Sequence, residues 1–215
     1  MNKVIHIEYL DCYVPETQLN LADCPDLETA IDGYFSGRED FLRFSTNVLS
    51  LDGIRVERQL DLEGMAMSVL DKYMHRQGVD TRTVKFIIIA TDQSDALKDF
   101  GHKILGRFAL PRTTVFRISD NYCANIDLAI GLAATLLRAE KEPGKVIILS
   151  GTRRGEGLTG RVVGAYGIVG DSAGITVLSS EEGPHLAEVG GQVVITRGEL
   201  AEMDLTKDNT PLHLQ

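Results

Sequence analysis

The sequence predicts an α/β protein: a mixed, mostly parallel five-stranded sheet with helices on both faces and a central apolar helix after Cys123. Three observations predict it. Residues 84–91 (VKFIIIAT) and 145–150 (KVIILS) are short, nearly continuous β-branched runs, the pattern of strands buried on both faces. From residue 84 onward strand-type and helix-type segments alternate, with connections far too long for hairpins, as parallel crossovers require. Residues 124–138 (ANIDLAIGLAATLLR) carry one charge, Asp127, before Arg138. A helix apolar on every side is expected to be covered all round.

Taken in order, residues 3–9 (KVIHIEY) alternate as a strand with Val4 and either Ile5 or Ile7 inward, broken by Tyr13-Val14-Pro15-Glu16. Residues 20–35 read as a short helix with Pro25 inside it, and residues 41–51 as a second helix ended by the turn Asp52-Gly53. Residues 61–77 form the clearest helix. Leu62, Met65, Ala66, Val69, Leu70 and Tyr73 share one face, Asp61 stands at the capping position, and Gly78 closes it. Residues 97–109 follow as a helix stopped by Pro111, then a strand at 115–119, the helix after Cys123, and the strand at 145–150. Residues 151–170, rich in Gly and Arg, read as a long loop. Residues 170–174 (GDSAG) lead into a strand at 175–179, and residues 187–196 suggest a hairpin turning at Gly190-Gly191. The expected organisation is one domain over residues 1–198 and a loosely held tail over 199–215. The start at Met1 and the non-periodic end lead to the expectation of a short chain rather than a fragment.

Composition narrows the function classes. An apolar fraction of 43% and a charged fraction of 25% belong to a globular protein with a full core. The net charge of −9 argues against non-specific nucleic-acid binding. No apolar run reaches the ~20 residues that span a bilayer, and residues 1–9 lack the basic and apolar regions of a signal peptide. Cys12, Cys24 and Cys123 are odd in number and widely spaced, a poor disulfide framework and a poor metal site. They fit a reducing cytoplasm, and no metal or cofactor is expected.

The candidate reactive group is Cys123. It stands where a turn enters the apolar helix, facing unpaired N–H groups and the positive end of the helix dipole, both of which favour thiolate. The competing reading is a buried cysteine that only fills space. The segment from Gly155 to Gly160 spells GxGxxG after a strand. Four residues separate it from the strand end and a poor helix follows, so a loop near the cysteine is the expectation rather than a dinucleotide site. Arg153 and Arg154 read as a solvated loop edge, Asp171 as a turn or cap residue, and Met65, Met67 and Met74 as core filler.

The order of motifs resembles the N-terminal half of the β-ketoacyl-acyl-carrier-protein synthase III branch of the thiolase superfamily. The resemblance runs from Lys3 to about Glu182, and its pieces come in the family's order. They are Val14-Pro15-Glu16; Asp52-Gly53-Ile54-Arg55 with Arg58 nearby; Ile87-Ile88-Ile89-Ala90-Thr91; Phe116-Arg117-Ile118; Cys123-Ala124; the strand from Val146 to Ser150; and Gly170-Asp171-Ser172-Ala173-Gly174 against "GDGAG". The resemblance implies a half-thiolase fold with Cys123 as acyl acceptor for an acyl thioester. Members of that family are about twice as long, and their second half supplies a His, an Asn and an oxyanion-hole N–H. None of His6, His75, His102, His185 or His213 stands at the catalytic position. Asn125 replaces the small residue two after the cysteine, and Ser172 replaces the middle glycine of GDGAG.

Two expectations follow. The first is a truncated, non-catalytic binding, scaffold or accessory protein of a specialised natural-product or peptide pathway. A homodimer or heteromer would cover the helix at 124–138, and a peptide, acyl thioester or carrier protein would be the ligand. The second is one subunit of a split acyltransferase or condensing enzyme with Cys123 as acyl acceptor.

Overall fold

The computed structural model describes residues 3–93, 97–119, 124–164 and 167–189. Cys123, the second arm of the expected hairpin and the tail at 199–215 lie outside the described residues. The chain begins with β1 (His6–Tyr13), β2 (Gln18–Asn20), a 3₁₀ turn (Leu21–Asp23), α1 (Leu27–Ile31), α2 (Arg38–Asn47) and β3 (Gly53–Arg55). It continues through α3 (Leu62–Arg76), β4 (Val84–Ala90), α4 (Phe100–Arg107), β5 (Thr114–Ile118), α5 (Asn125–Ala139) and β6 (Lys145–Thr152). The last elements are β7 (Val162–Val163), β8 (Gly167–Ile168), β9 (Ser172–Ser179) and β10 (Ala187–Glu188).

The main sheet has the strand order β10-β1-β9-β6-β4-β5. Strands β4, β5 and β6 run parallel, while β9 is antiparallel to both β6 and β1. The mixed, mostly parallel architecture is the one expected, with a sixth, two-residue strand at its edge. The segment read as the first arm of a hairpin pairs with β1, His6 opposite Glu188 and Ile7 opposite Ala187.

Local chemistry explains most boundaries. The Asp61 carboxylate accepts the Gly64 N–H at 2.7 Å and caps α3 as expected. The single helix expected over 20–35 is divided, because Pro25 has no N–H to donate and its ring excludes a preceding helical turn. The expected loop at 151–170 holds the end of β6 and the small β7–β8 hairpin. The first strand also begins later than expected. Val4 is 60% exposed, whereas Ile5 is 1% exposed and packs beneath α5.

The two faces of the sheet are dressed unequally. On one, Ile87, Ile89, Ile147, Leu149, Ile175 and Val177 meet α3 and α4, with Met65 and Met74 buried among them as core filler. On the other, Ile88, Ala90, Val146, Ile148 and Leu178 meet α5, the one helix on this side among the described residues, through Ala129, Ala133, Ala134 and Leu137. The five longer strands span roughly 19 Å, and one helix about 10–12 Å across does not roof them. Leu10 shows the shortfall. It lies on the α5 side, opposite Thr176, which pairs in turn with Ile148, and it is 53% exposed. Helix α5, expected to be covered all round, is buried on its sheet side, while Leu128, Leu132 and Leu136 remain half-buried. A third apolar cluster (Leu21, Leu27, Ile31, Phe41, Ile54, Leu158) packs α1, α2 and the β2–β3 ribbon against the Gly-rich loop.

Candidate functional site

Parallel strands β4 and β6 end side by side, and the N-terminus of α5 points at the gap above them. Open α/β sheets bind ligands outside the carboxyl ends of their strands. Here that position is a cleft of about 510 Å³, lined by Thr91 and Asp92 after β4, Ser150 and Thr152 of β6, and Asn125 and Ile126 of α5. Val163, Val169, Arg154 and Ser172 close its far side. Both departures from the ketosynthase pattern, Asn125 and Ser172, are therefore cleft walls. Cys123 lies outside the described residues, two positions before the first residue of α5.

The cleft floor is tightly built. The Thr91 hydroxyl donates to the Gly151 carbonyl at 3.0 Å and accepts the Gln93 N–H at 3.1 Å. The Gln93 amide grips the Arg153 backbone twice, donating to its carbonyl at 2.6 Å and accepting its N–H at 2.8 Å. Gly151 must be glycine, since a Cβ there would lie 2.7 Å from the Ser172 carbonyl oxygen and 2.9 Å from Leu62 Cδ1. The Thr152 hydroxyl and the Nε atoms of Arg153 and Arg154 are buried without a hydrogen-bond partner among the described residues. That is unspent polar capacity beside the cleft.

Behind the cleft sits an ion pair that the sequence did not announce. Arg161 and Asp171, expected to be a loop residue and a turn residue, have side chains 1% and 0% exposed. The guanidinium forks onto the carboxylate, Nη1 to Oδ1 at 2.7 Å and Nη2 to Oδ2 at 2.9 Å. Its remaining donors reach the carbonyls of Gly157 (2.8 Å), Gly155 (2.7 Å) and Val169 (3.2 Å). Asp171 in turn accepts the N–H groups of Glu57 and Arg154, each at 2.8 Å. Burial pushes the Asp171 carboxyl up, but Arg161 and these N–H donors outweigh it and hold the group below its ordinary range. The pair ties the loop after β6, the segment after β3 and the start of β9 together. Asp171 is therefore no mere turn residue. A bidentate buried partner ten positions away gives no periodic sign in a sequence.

The Gly-rich loop is also resolved chemically. Leu158 and Thr159 point their N–H groups at the Asp26 carboxylate, at 2.9 and 2.8 Å, and the Thr159 hydroxyl donates to it at 2.7 Å. A carboxylate of the chain itself occupies the position in which such a loop would cradle phosphate. Gly157 has φ +79°, and a Cβ on it would fall 2.6 Å from Asp26 Oδ2, which accounts for the glycine without any cofactor. Arg154, expected at a solvated edge, is half-buried, and its guanidinium meets Asp92 at 3.0 Å.

None of His6, His75, His102 or His185 lines the cleft; His213 lies outside the described residues. Among the described residues no group of three or more metal-type side chains comes together, and no helix is long and apolar enough to cross a membrane. Cys12 and Cys24 are free thiols. Burial, with Asp26 and Asp23 nearby, pushes the Cys24 thiol up, which disfavours thiolate there.

Solved structures share this architecture. The acyltransferase ChlB3 superposes with a TM-score of 0.62 at 21% identity, over 84% of this chain and 52% of that one. The 3-oxoacyl-[acyl-carrier-protein] synthase III of Aquifex aeolicus gives 0.60 at 15% identity, over 83% and 55%. The chain has the fold of half a thiolase. A priming β-ketosynthase of a polyketide biosynthetic pathway gives the same half-thiolase match, 0.59 at 14% identity, over 85% and 52%. The chain thus spans about half the length of these relatives, and at such identities the likeness concerns the fold. No protein-family model and no curated protein matches the sequence.

Proposed function

We propose that this half-thiolase is a non-catalytic binding or accessory subunit of a specialised biosynthetic pathway, working through the α5 side of its sheet. The observation that carries the reading is the unequal dressing of the two faces. Among the described residues two helices roof one side, while a single helix with half-buried Leu128, Leu132 and Leu136 roofs the other. Apolar area left wet is unfavourable by about 25 cal/mol per Å², so a surface of this kind is kept for a partner. The cleft supports the non-catalytic half of the reading, because none of the described histidines lines it to act as a general base. The neighbours in structure include an acyltransferase and a priming ketosynthase of a polyketide pathway, which suggests the setting.

The test is light scattering on the purified chain together with binding of a dye specific for apolar surface. An associated species supports the reading, as does a monomer whose dye binding falls in Leu128→Glu and Leu132→Glu variants. A well-folded monomer that binds no dye would overturn it.

One observation favours a second reading, a subunit of a split acyltransferase. The 510 Å³ cleft lies at the N-terminus of α5, with the buried, unpartnered Thr152 hydroxyl close by. In that reading the Cys123 thiolate attacks an acyl thioester carbonyl. The acyl–sulfur bond to the carrier thiol breaks, a Cys123 thioester forms, and the carrier thiolate leaves to take a proton from water. Intact-mass analysis after incubation with acetyl-CoA tests it. An adduct lost in Cys123→Ser supports the reading, and an unchanged mass with saturating acetyl-CoA counts against it.

A further inference from the structure

We propose that the partner on the outer face of α5 is a second copy of this chain, docked antiparallel across a two-fold axis. The proposal rests on the reading above that this face is covered. It adds the identity of the cover and its orientation.

The stripe itself comes first. At 100° per residue, the buried residues Ala129, Ala133, Ala134 and Leu137 define the sheet side of α5. The opposite side carries Asp127, Leu128, Gly131, Leu132, Thr135 and Arg138. The Thr135 hydroxyl donates to the Gly131 carbonyl at 2.9 Å, one turn back. Its polar atom is thereby satisfied within the helix, and the methyl is left to present outward. Gly131 lowers the middle of the stripe, where an approaching helix meets least obstruction.

The charges then select the partner. Asp127 and Arg138 are eleven residues apart, three turns and about 20°, so they sit on the same edge of the stripe roughly 16 Å from each other. Asp127 is exposed and makes no ion pair or hydrogen bond among the described residues. Arg138 spends one nitrogen on a 3.5 Å contact to the Val189 carbonyl and keeps the rest of its fork available. In a two-fold pair, whatever one copy offers the other must accept. Antiparallel docking brings Asp127 onto the partner's Arg138, and Arg138 onto the partner's Asp127, so the two contacts form together. It also sets the two helix dipoles head to tail. Parallel docking about a two-fold axis would carry the Asp127–Arg138 edge of one copy to the opposite side of the seam from that of the other, so neither ion pair would form. The stripe is thus self-complementary in one orientation only.

The test is charge exchange followed by sedimentation equilibrium. The wild-type chain of 23.6 kDa is expected to sediment as a dimer. Asp127→Arg and Arg138→Asp, each alone, place like charges at both ends and are expected to raise the dimer Kd at least about tenfold. An equimolar mixture of the two single variants is expected to recover the wild-type Kd, because only the mixed pair is complementary. Circular dichroism of each variant checks the fold, and Leu128→Glu serves as a second disruption independent of the charge pair. A dimer indifferent to all three variants would place the contact elsewhere and overturn the proposal. A wild-type monomer that binds apolar dye would also overturn it while sparing the reading that the face serves a different partner. A wild-type monomer without dye binding would sink both.

Discussion

Replacing Arg161 by Met leaves the Asp171 carboxylate buried with only two N–H donors, from Glu57 and Arg154. Breaking a buried pair from one side costs about 3–5 kcal/mol, because the remaining charge is stranded. For 215 residues, an unfolding entropy of about 2.1 cal/mol/K per residue gives roughly 0.45 kcal/mol per kelvin. The melting temperature should therefore fall by about 7–11 °C at pH 7, read by calorimetry. The pH dependence gives a second, sharper readout. In the wild type Asp171 is held below its unfolded value, so its contribution is present above pH ~4 and is lost on acidification. In Arg161→Met burial is no longer opposed by the guanidinium, and the carboxyl rises above its wild-type value. Lowering the pH then protonates the stranded group and narrows the gap between variant and wild type. A drop of less than about 2 °C at pH 7, or a gap that stays constant down to pH 4, would refute the assignment of Arg161–Asp171 as the pin behind the cleft.

Three further outcomes follow from the same geometry. Gly157→Ala and Gly160→Ala both meet positive φ, +79° and +76°, worth about 1–2 kcal/mol each, but only at Gly157 does the new methyl strike Asp26. Urea midpoints should rank Gly157→Ala clearly below Gly160→Ala, and equal midpoints would remove Asp26 from the loop. Glu57 is held at about 2, chiefly by the Tyr13 hydroxyl and then by the N–H groups of Gln59 and Leu60. Its folded value lies below its unfolded one, so stability present above pH ~4.3 is lost as pH falls toward 2. Glu57→Gln should flatten the acid limb of the stability profile, and an unchanged limb would count against the contact. His6 is pushed below its ordinary value, first by burial and then by His185, whose ring centroid lies 4.8 Å away. The unfolded chain therefore binds the proton more readily, and stability should decline as pH falls below about 6.5. His6→Asn should remove that component of the titration.

What could be read from the sequence was whatever is periodic or locally punctuated. Helix α3 declared itself by its apolar spacing and its Asp61 cap, and β4 and β6 by β-branched runs that turn out to be buried on both faces. The mixed sheet with helices on both faces followed from the order of those elements, and the half-thiolase architecture from the resemblance of the motifs to a known family. The first strand was misplaced because Val4 and Ile5 are equally apolar, and the distinction between them is made by α5, more than a hundred residues away. Residues 151–170 were illegible for a similar reason. Their shape is set by Arg161 finding Asp171 and by Asp26 finding Leu158 and Thr159, side-chain pairings that leave no trace in hydropathy. At the cleft the sequence supplied the strand ends and both departures from the family pattern, Asn125 and Ser172. The buried pin and the internal carboxylate became visible only in three dimensions.

Among the described residues β1 finds its one long partner in β9, so Tyr13 waits for Ala173 and His6 for Ser179. On a ribosome adding about 5–20 residues per second, the roughly 160 residues between them take on the order of 8–30 s to appear. Throughout that interval β1, with Ile5 just ahead of it, waits without β9. The β4–β5–β6 core can assemble in the meantime, since its parallel neighbours arrive consecutively. Strand β1 is then seated only after that core, and a chain released before Ser179 would present an open edge where β9 belongs. Early termination in this protein is therefore expected to yield aggregation-prone chains rather than smaller folded ones, and a chaperone's attention would fall first on residues 5–13.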